Sequence, residues 1–274
     1  MTLNCNGRLI SLKTPKIMGI LNVTPDSFYD GGKYKDEKSI LIQVEKMLSD
    51  GATFIDIGAY SSRPGAMEVD ESTELKRIFP IVHLISKEFP ESILSIDTFR
   101  SKVAEECIKG GAAIINDISA GYRDEKMLDV VAFLGVPYIM MHMKGTPKTM
   151  QSNTDYEDMF KEILYYFSER IALTKSKGIK DIIIDPGFGF AKTLAQNYRL
   201  LNELELFKLN EHPLLVGLSR KSMIHKLLNT DASHALNGTT ALHMVSLQKG
   251  ANILRVHDVK EAVECVQLHQ QLIT

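Results

Sequence analysis

The sequence predicts a single α/β domain folded as a (β/α)8 barrel, the TIM-barrel architecture. Eight short apolar runs alternate with longer amphipathic stretches from Lys16 onward. Nearly all of these runs are continuously apolar, as parallel strands covered on both faces are. No break in composition marks a linker, so one domain is expected over residues 1–274, with 1–15 as an N-terminal extension. A doubly wound open sheet is the competitor, because periodicity does not reveal closure.

The first run, KIMGILN (16 to 22), passes through the segment LNVTPDSFYDGG (21 to 32) into a stretch at 36 to 50. There Ile40, Leu41, Val44, Met47 and Leu48 lie on one helical stripe, which stops at Gly51. FIDIG (54 to 58) precedes an amphipathic stretch at 70 to 88, and ILSID (93 to 97) precedes one at 100 to 109. AIIND (113 to 117) leads to 126 to 134, and YIMMH (138 to 142) leads to 156 to 177. IIIDPG (182 to 187) is followed by 195 to 208, LLVGLS (214 to 219) by 236 to 249, and ILRVH (253 to 257) by 259 to 271.

Composition excludes several classes. With 44% hydrophobic and 24% charged residues and no low-complexity run, the chain is neither disordered nor fibrous. A formal net charge of -2 offers no global attraction to nucleic acid or to an acidic membrane, so neither is an expected partner. Cys5, Cys107 and Cys265 are odd in number and far apart, which predicts reduced, buried thiols rather than a disulfide framework or a zinc site. The opening MTLNCNGRLISLK lacks the apolar stretch of a signal peptide. No run approaches the roughly 18 apolar residues of a membrane span, so a cytoplasmic location is expected.

Polar residues crowd one end of every run. In order they are Asn22, Asp56, Asp97, Asn116 with Asp117, His142, Asp185, Ser219 with Arg220 and Lys221, and Arg255 with His257. A barrel interior is apolar and its chemistry sits at the C-terminal strand ends. Eight polar ends in register therefore predict a site, with Asp56 and Asp117 in capping or supporting roles.

The strings GILNVTPDSF, SSRPG, SIDTFR, INDIS, MHMKGTP, DPGFGFAKT, LSRKS and RVHD occur in that order from Ile17 to near Asp258. Together they resemble the dihydropteroate synthase family of pterin-binding barrels. Two departures stand out: Ser62 occupies a position where many members have Thr, and Tyr29 replaces a small residue after DSF. The resemblance implies a magnesium-using (β/α)8 barrel, usually a homodimer. The implied reaction joins 6-hydroxymethyl-7,8-dihydropterin diphosphate to 4-aminobenzoate, releasing diphosphate, with sulfonamides as inhibitors.

The same resemblance implies the site. Asp185 would accept two parallel hydrogen bonds from the guanidinium-like edge of the pterin, Asn116 would meet the mixed ring nitrogens, and Asp97 would reach the reduced ring's N–H. Lys221 would take the acceptor side, with Ile118, Met141, Phe190 and Gly217 making the slot. Arg63, Arg255 and His257 would form the anion pocket, and Asn22 would offer its amide oxygen to Mg2+ beside the diphosphate. Because RVH alternates, Arg255 and His257 point the same way from the eighth strand, next to Asn22 on the first once the barrel closes. Ser62, Pro64 and Phe190, with Arg63, Lys221 and Ser222 nearby, would shape the 4-aminobenzoate slot.

Loss of diphosphate would leave a cation delocalised over the pterin, an SN1-like course in which Asp97 and Asp185 face positive charge. Water is then the competing nucleophile. Asp26, Phe28, Asp30 and the pair Gly31 and Gly32 have the composition of a segment that closes over such a cation: a carboxylate, an apolar ring and a flexible end. Two rival readings remain at this stage. One is a pterin-binding methyl-transfer barrel, which needs no diphosphate pocket; the other is a catalytically silent pterin-binding scaffold.

Overall fold

The computed structural model of the chain describes residues 1–23, 33–60, 69–146 and 149–273, less the side chains of residues 33–36 and 151. It opens with an antiparallel hairpin, β1 (Thr2–Cys5) and β2 (Arg8–Ser11), which pair Cys5 with Arg8 across a two-residue turn. Asn6 and Gly7 both have positive φ, 51° and 84°, the combination that matches the right-handed twist of a tight hairpin. Periodicity assigns no strand to this extension; the Asn-Gly dipeptide is the signal that does.

Eight parallel strands follow: β3 (Lys16–Asn22), β4 (Phe54–Gly58), β5 (Leu94–Asp97), β6 (Ile114–Asp117), β7 (Tyr138–Met141), β8 (Ile182–Asp185), β9 (Leu215–Val216) and β10 (Ile253–Val256). The helices are α1 (Lys33–Ser49), α2 (Glu71–Glu88), α3 (Ser101–Lys109), α4 (Met127–Leu134), α5 (Met159–Ser176), α6 (Leu194–Asn202), α7 (Ser222–His225), α8 (Leu236–Gln248) and α9 (Val259–Ile273). The sheet order is β8-β7-β6-β5-β4-β3-β10-β9, so the eighth barrel strand lies beside the first. The remaining seam, between β8 and the start of β9, is closed by the parallel bridge Ile184–Leu214 and by Ile184 N–H donating to Pro213 O at 2.9 Å. An open doubly wound sheet is thereby excluded.

Most element boundaries fall within a few residues of the sequence expectation. The seventh run is the largest exception: only Leu215–Val216 of 214 to 219 is strand, because the chain leaves the sheet at Gly217. The stretch 195 to 208 also divides, into α6 and a 3-10 segment Leu204–Asn210. Caps account for several starts. Asp70 accepts the Thr73 N–H ahead of α2, and Thr193 and Gln196 form a reciprocal capping box ahead of α6.

Strand residues alternate between two buried environments. Ile17, Leu21, Ile55, Ile57, Leu94, Ile96, Ile115, Tyr138, Ile182, Ile184, Leu254 and Val256 belong to the main core between strands and helices. Met18, Phe54, Ile93, Ile114, Ile139, Ile183, Leu215 and Ile253 form a second cluster with Leu3, Cys5 and Leu12. The hairpin thus plugs the N-terminal end of the barrel with its own apolar side chains. All three cysteines are free and buried, and burial pushes the Cys5 thiol up to about 12.

Leu3 is 1% exposed within that plug. Leu3→Ala is expected to cost about 3 kcal/mol, as a cavity in a closed core does. Urea unfolding checks this, and a loss below about 1 kcal/mol would mean that the hairpin packs too loosely to matter.

Candidate active site

Alternation decides which polar strand ends meet. Moving two residues at a time from the plugged layer, Met18 leads through Ile20 to Asn22, Phe54 to Asp56, Ile93 through Ser95 to Asp97, and Ile114 to Asn116 and Ile118. By the same step Ile139 leads to Met141, Ile183 to Asp185, Leu215 to Gly217, and Ile253 to Arg255 and His257. These residues share the inner parity at the C-terminal end of the barrel.

Asp117, His142 and Arg220 do not join them. Asp117 accepts bonds from Ser119 N–H, Gly121 N–H and the Tyr138 hydroxyl, each at 2.7 Å, which makes it a support for the loop after β6. His142 packs edge-on against Tyr166 of α5, with ring centroids 4.9 Å apart. Arg220 pairs with both oxygens of Asp258, at 2.8 and 2.7 Å, and donates to the carbonyls of Ala232 and Ser233. The row of polar ends seen in the sequence therefore contains three members that serve the scaffold.

At the centre of the site Arg255 spans two carboxylates. Its Nε donates to Asp56 Oδ2 at 2.6 Å and its Nη2 to Asp97 Oδ2 at 2.8 Å. This modifies the expectation that Arg255 belongs to an anion pocket, because the guanidinium already balances two acidic side chains. A largely buried cation requires that kind of partnership. Asp56 is fully buried, and its Oδ2 also accepts from Asn116 Nδ2 at 3.1 Å, which orients the Asn116 amide. Burial raises Asp97 to about 7, opposed by Arg255 and reinforced by the Asp56 charge, although 22% of its side chain is exposed.

Asp185 lies opposite. Its Oδ1 accepts the Gly187 N–H at 2.8 Å, and its Oδ2 is 3.9 Å from where a Cβ on Gly217 would stand. Gly217 thus leaves open the space beside both Asp185 and Arg255. Burial raises the Asp185 pKa, with Lys221 and the Gly187 N–H pulling it down. Lys221 Nζ donates to Phe188 O and sits 4.7 Å from the centre of the Phe190 ring. Burial brings the lysine down to about 8, against the attraction of Asp185.

An apolar wall stands beside these charges. Ile118 and Met141, both expected in the slot, form one buried cluster with Phe99, and Phe190 packs against it. Tyr60, Met143 and Phe99 are additions. The Tyr60 and Phe99 rings meet edge to face at 5.3 Å, and the Arg123 guanidinium lies over Phe99 at 4.0 Å. Phe99 lies two residues beyond the end of β5, and the signal that could have found it is an aromatic residue just past a strand end.

On the β10 side, His257 Nδ1 is 3.0 Å from Ser219 Oγ, which also accepts the His257 backbone N–H at 3.2 Å. Ser219 thereby ties the end of the eighth strand to the seventh run. Asn22 is exposed at the end of β3, and β3 pairs directly with β10. Ser222 is exposed at the first position of α7, a helix of a single turn. Asp26, Phe28, Tyr29, Asp30, Gly31, Gly32, Ser62, Arg63 and Pro64 lie outside the described residues.

The family model described as "Pterin binding enzyme" matches residues 18–257. A dihydropteroate synthase of Escherichia coli strain K12 is 45% identical over 270 residues, covering 98% of this chain and 95% of that protein. A crystal structure of the Yersinia pestis dihydropteroate synthase in a sulfonamide drug complex superposes with a TM-score of 0.93 at 42% identity, covering 100% of this chain and 99% of the other. The Xanthomonas albilineans dihydropteroate synthase with 4-aminobenzoic acid gives 0.92 at 37% identity, covering 100% and 98%.

Proposed function

Because the chain belongs to the pterin-binding enzyme family, and within it to the dihydropteroate synthases, we propose that its inner-face site joins 6-hydroxymethyl-7,8-dihydropterin diphosphate to 4-aminobenzoate in folate biosynthesis. It is a transferase, and its products are 7,8-dihydropteroate and diphosphate. The observation that best supports this assignment of residues is the convergence of Asp97, Asn116, Asp185 and Lys221 beside one apolar wall. The test is incubation with both substrates and Mg2+, scored by dihydropteroate and diphosphate formation. Diphosphate release also separates this reaction from methyl transfer and from silent binding.

In this reading Asp185 faces the guanidinium-like pterin edge, Asn116 supplies a donor and an acceptor, and Lys221 meets the acceptor side. As the diphosphate departs, the positive charge left on the pterin is met by Asp97 and Asp185, whose carboxylates are already in place and need no reorganisation. Arg255 and His257, with Arg63, take the diphosphate. Arg255 keeps its Asp56 and Asp97 contacts on one edge, so its other N–H groups make that contact. 4-Aminobenzoate lies against Phe190, Ser62 and Pro64 with its carboxylate toward Ser222, and sulfonamides compete for that place. Asp26 and Phe28 exclude water.

Magnesium fits this donor set. Among the described residues no group of three His, Cys, Asp or Glu side chains could hold a metal, and Asn22 offers one neutral oxygen. Mg2+ keeps several waters and is commonly held through substrate phosphates with one or two protein ligands. When bound, it supplies charge neutralisation at the leaving diphosphate. We also assign the enzyme a cytoplasmic location and a homodimeric state. No described helix is long and apolar enough to cross a membrane, and sedimentation would check the dimer.

Pterin affinity should follow a bell-shaped pH profile. Asp97, raised to about 7, is protonated below that pH and becomes a poorer acceptor for the reduced ring's N–H; Lys221, lowered to about 8, loses its charge above it. Affinity should therefore rise toward about pH 7 and decline beyond about 8. A profile flat from pH 6 to 9, measured by calorimetry, would remove these two groups from pterin binding.

A further inference from the structure

Lys192 belongs to the DPGFGFAKT string, yet the reaction described above gives it no task. It is 4% exposed, and its Nζ lies 3.1 Å from each of three acceptors: Gly187 O, Phe190 O and His142 Nδ1. An ammonium has three N–H donors and no acceptor, so these partners satisfy it fully. Burial keeps His142 neutral, as an acceptor at Nδ1 requires, and brings Lys192 itself down to about 7. Buried lysines are rare, and a site that needed only filling would hold a methionine or leucine.

The loop it grips is held by side chains along its length. Lys221 takes Phe188 O, the Tyr156 hydroxyl donates to Ala191 O at 2.8 Å, and Asn197 Oδ1 accepts the Gly189 N–H at 2.6 Å. Gly187, Gly189 and Ala191 all have positive φ, which glycine adopts freely but which costs Ala191 strain that its surroundings must offset. A Cβ on Gly187 would come within 2.1 Å of His142 O, so the loop lies directly on that backbone. His142 N–H in turn donates to Asp185 O at 2.9 Å.

We propose that Lys192 is a positioning residue for the pterin pocket: by holding Gly187 O and Phe190 O against His142, it fixes the Asp185 carboxylate, through the Gly187 N–H, and the Phe190 ring. The inference rests on the reading of this site as a pterin pocket. Lys192 touches no substrate in this arrangement and acts only through the residues it holds.

The experiment is calorimetric titration of 6-hydroxymethyl-7,8-dihydropterin into the wild type, Lys192→Met and Lys192→Gln, well below each protein's unfolding temperature. Val82→Ala, a fully buried position on α2 away from the pocket, is the destabilised control. Lys192→Met is expected to weaken pterin binding at least about tenfold, through the loss of two buried hydrogen bonds to loop carbonyls and one to His142. Lys192→Gln retains two amide donors and should fall between, whereas Val82→Ala should stay within about twofold of wild type. Should the Met variant not fold, the Gln variant carries the test. A folded Lys192 variant binding pterin within about twofold of wild type would overturn the proposal. No pterin binding by the wild type would instead overturn the site reading beneath it.

Discussion

Asp185→Asn should lose pterin affinity by about 3 kcal/mol, roughly 150-fold in Kd, with little loss of stability. The structure supplies the reason for the asymmetry. Asp185 Oδ1 accepts the Gly187 N–H at 2.8 Å, a bond that the asparagine carbonyl can keep. Its amide nitrogen is then turned toward the pocket, where it presents donors to the donor edge of the pterin. The fold loses nothing, while the ligand meets a repulsive partner. Calorimetry with the pterin, alongside thermal unfolding, separates the two effects. An Asn variant that binds pterin as tightly as the wild type would show that the carboxylate faces something else.

Arg255→Ala should be damaging in a different way, abolishing turnover and destabilising the protein by about 3 kcal/mol. Removing the guanidinium leaves the Asp56 and Asp97 carboxylates without the cation they share at 2.6 and 2.8 Å. The destabilisation should depend on pH. In the variant Asp97 would titrate above its already raised value, while the unfolded chain gives up that proton at an ordinary carboxylate pKa. The folded variant thus binds more protons than the unfolded chain between about pH 4 and its raised pKa, so its stability falls as pH rises through that window. The wild type shares that fall up to its own value of about 7, so the gap between the two opens above about pH 7 and should be smaller at pH 5 than at pH 8 and above. Urea unfolding of both proteins at the two pH values measures it. A gap that is the same at both would mean that the two carboxylates are balanced by another group.

How much of this was legible in the chain differs between residues. Eight β/α units, their order and the crowding of polar residues at one strand end follow from periodicity, because a continuously apolar run and a 3.6-residue stripe each leave a local pattern. Asp185, Asn116, Met141 and Ile118 could be assigned from the strings that hold them, and their positions meet at one mouth. The hairpin was missed, because a four-residue strand has too little periodicity to register, although the Asn6-Gly7 turn is a local signal for it. Lys192 lies in the same string as Asp185, but nothing local shows that it is buried, since a lysine on a loop ordinarily faces water.

The sequence by itself determined the parity of every strand, which places Arg255 on the same face as His257 and opposite Val256. Parity is local, set by the alternation of successive side chains, and needs no knowledge of the rest of the fold. Which parity faces inward was decided only by closure. So were the partners of Arg255, since Asp56 and Asp97 are 199 and 158 residues distant along the chain. The same holds for the outward placement of Asp117 and His142, polar strand ends that resemble site residues in one dimension. Charge pairing in a low-dielectric interior depends on distance in space, and no local pattern encodes the distance from the second and third barrel strands to the eighth.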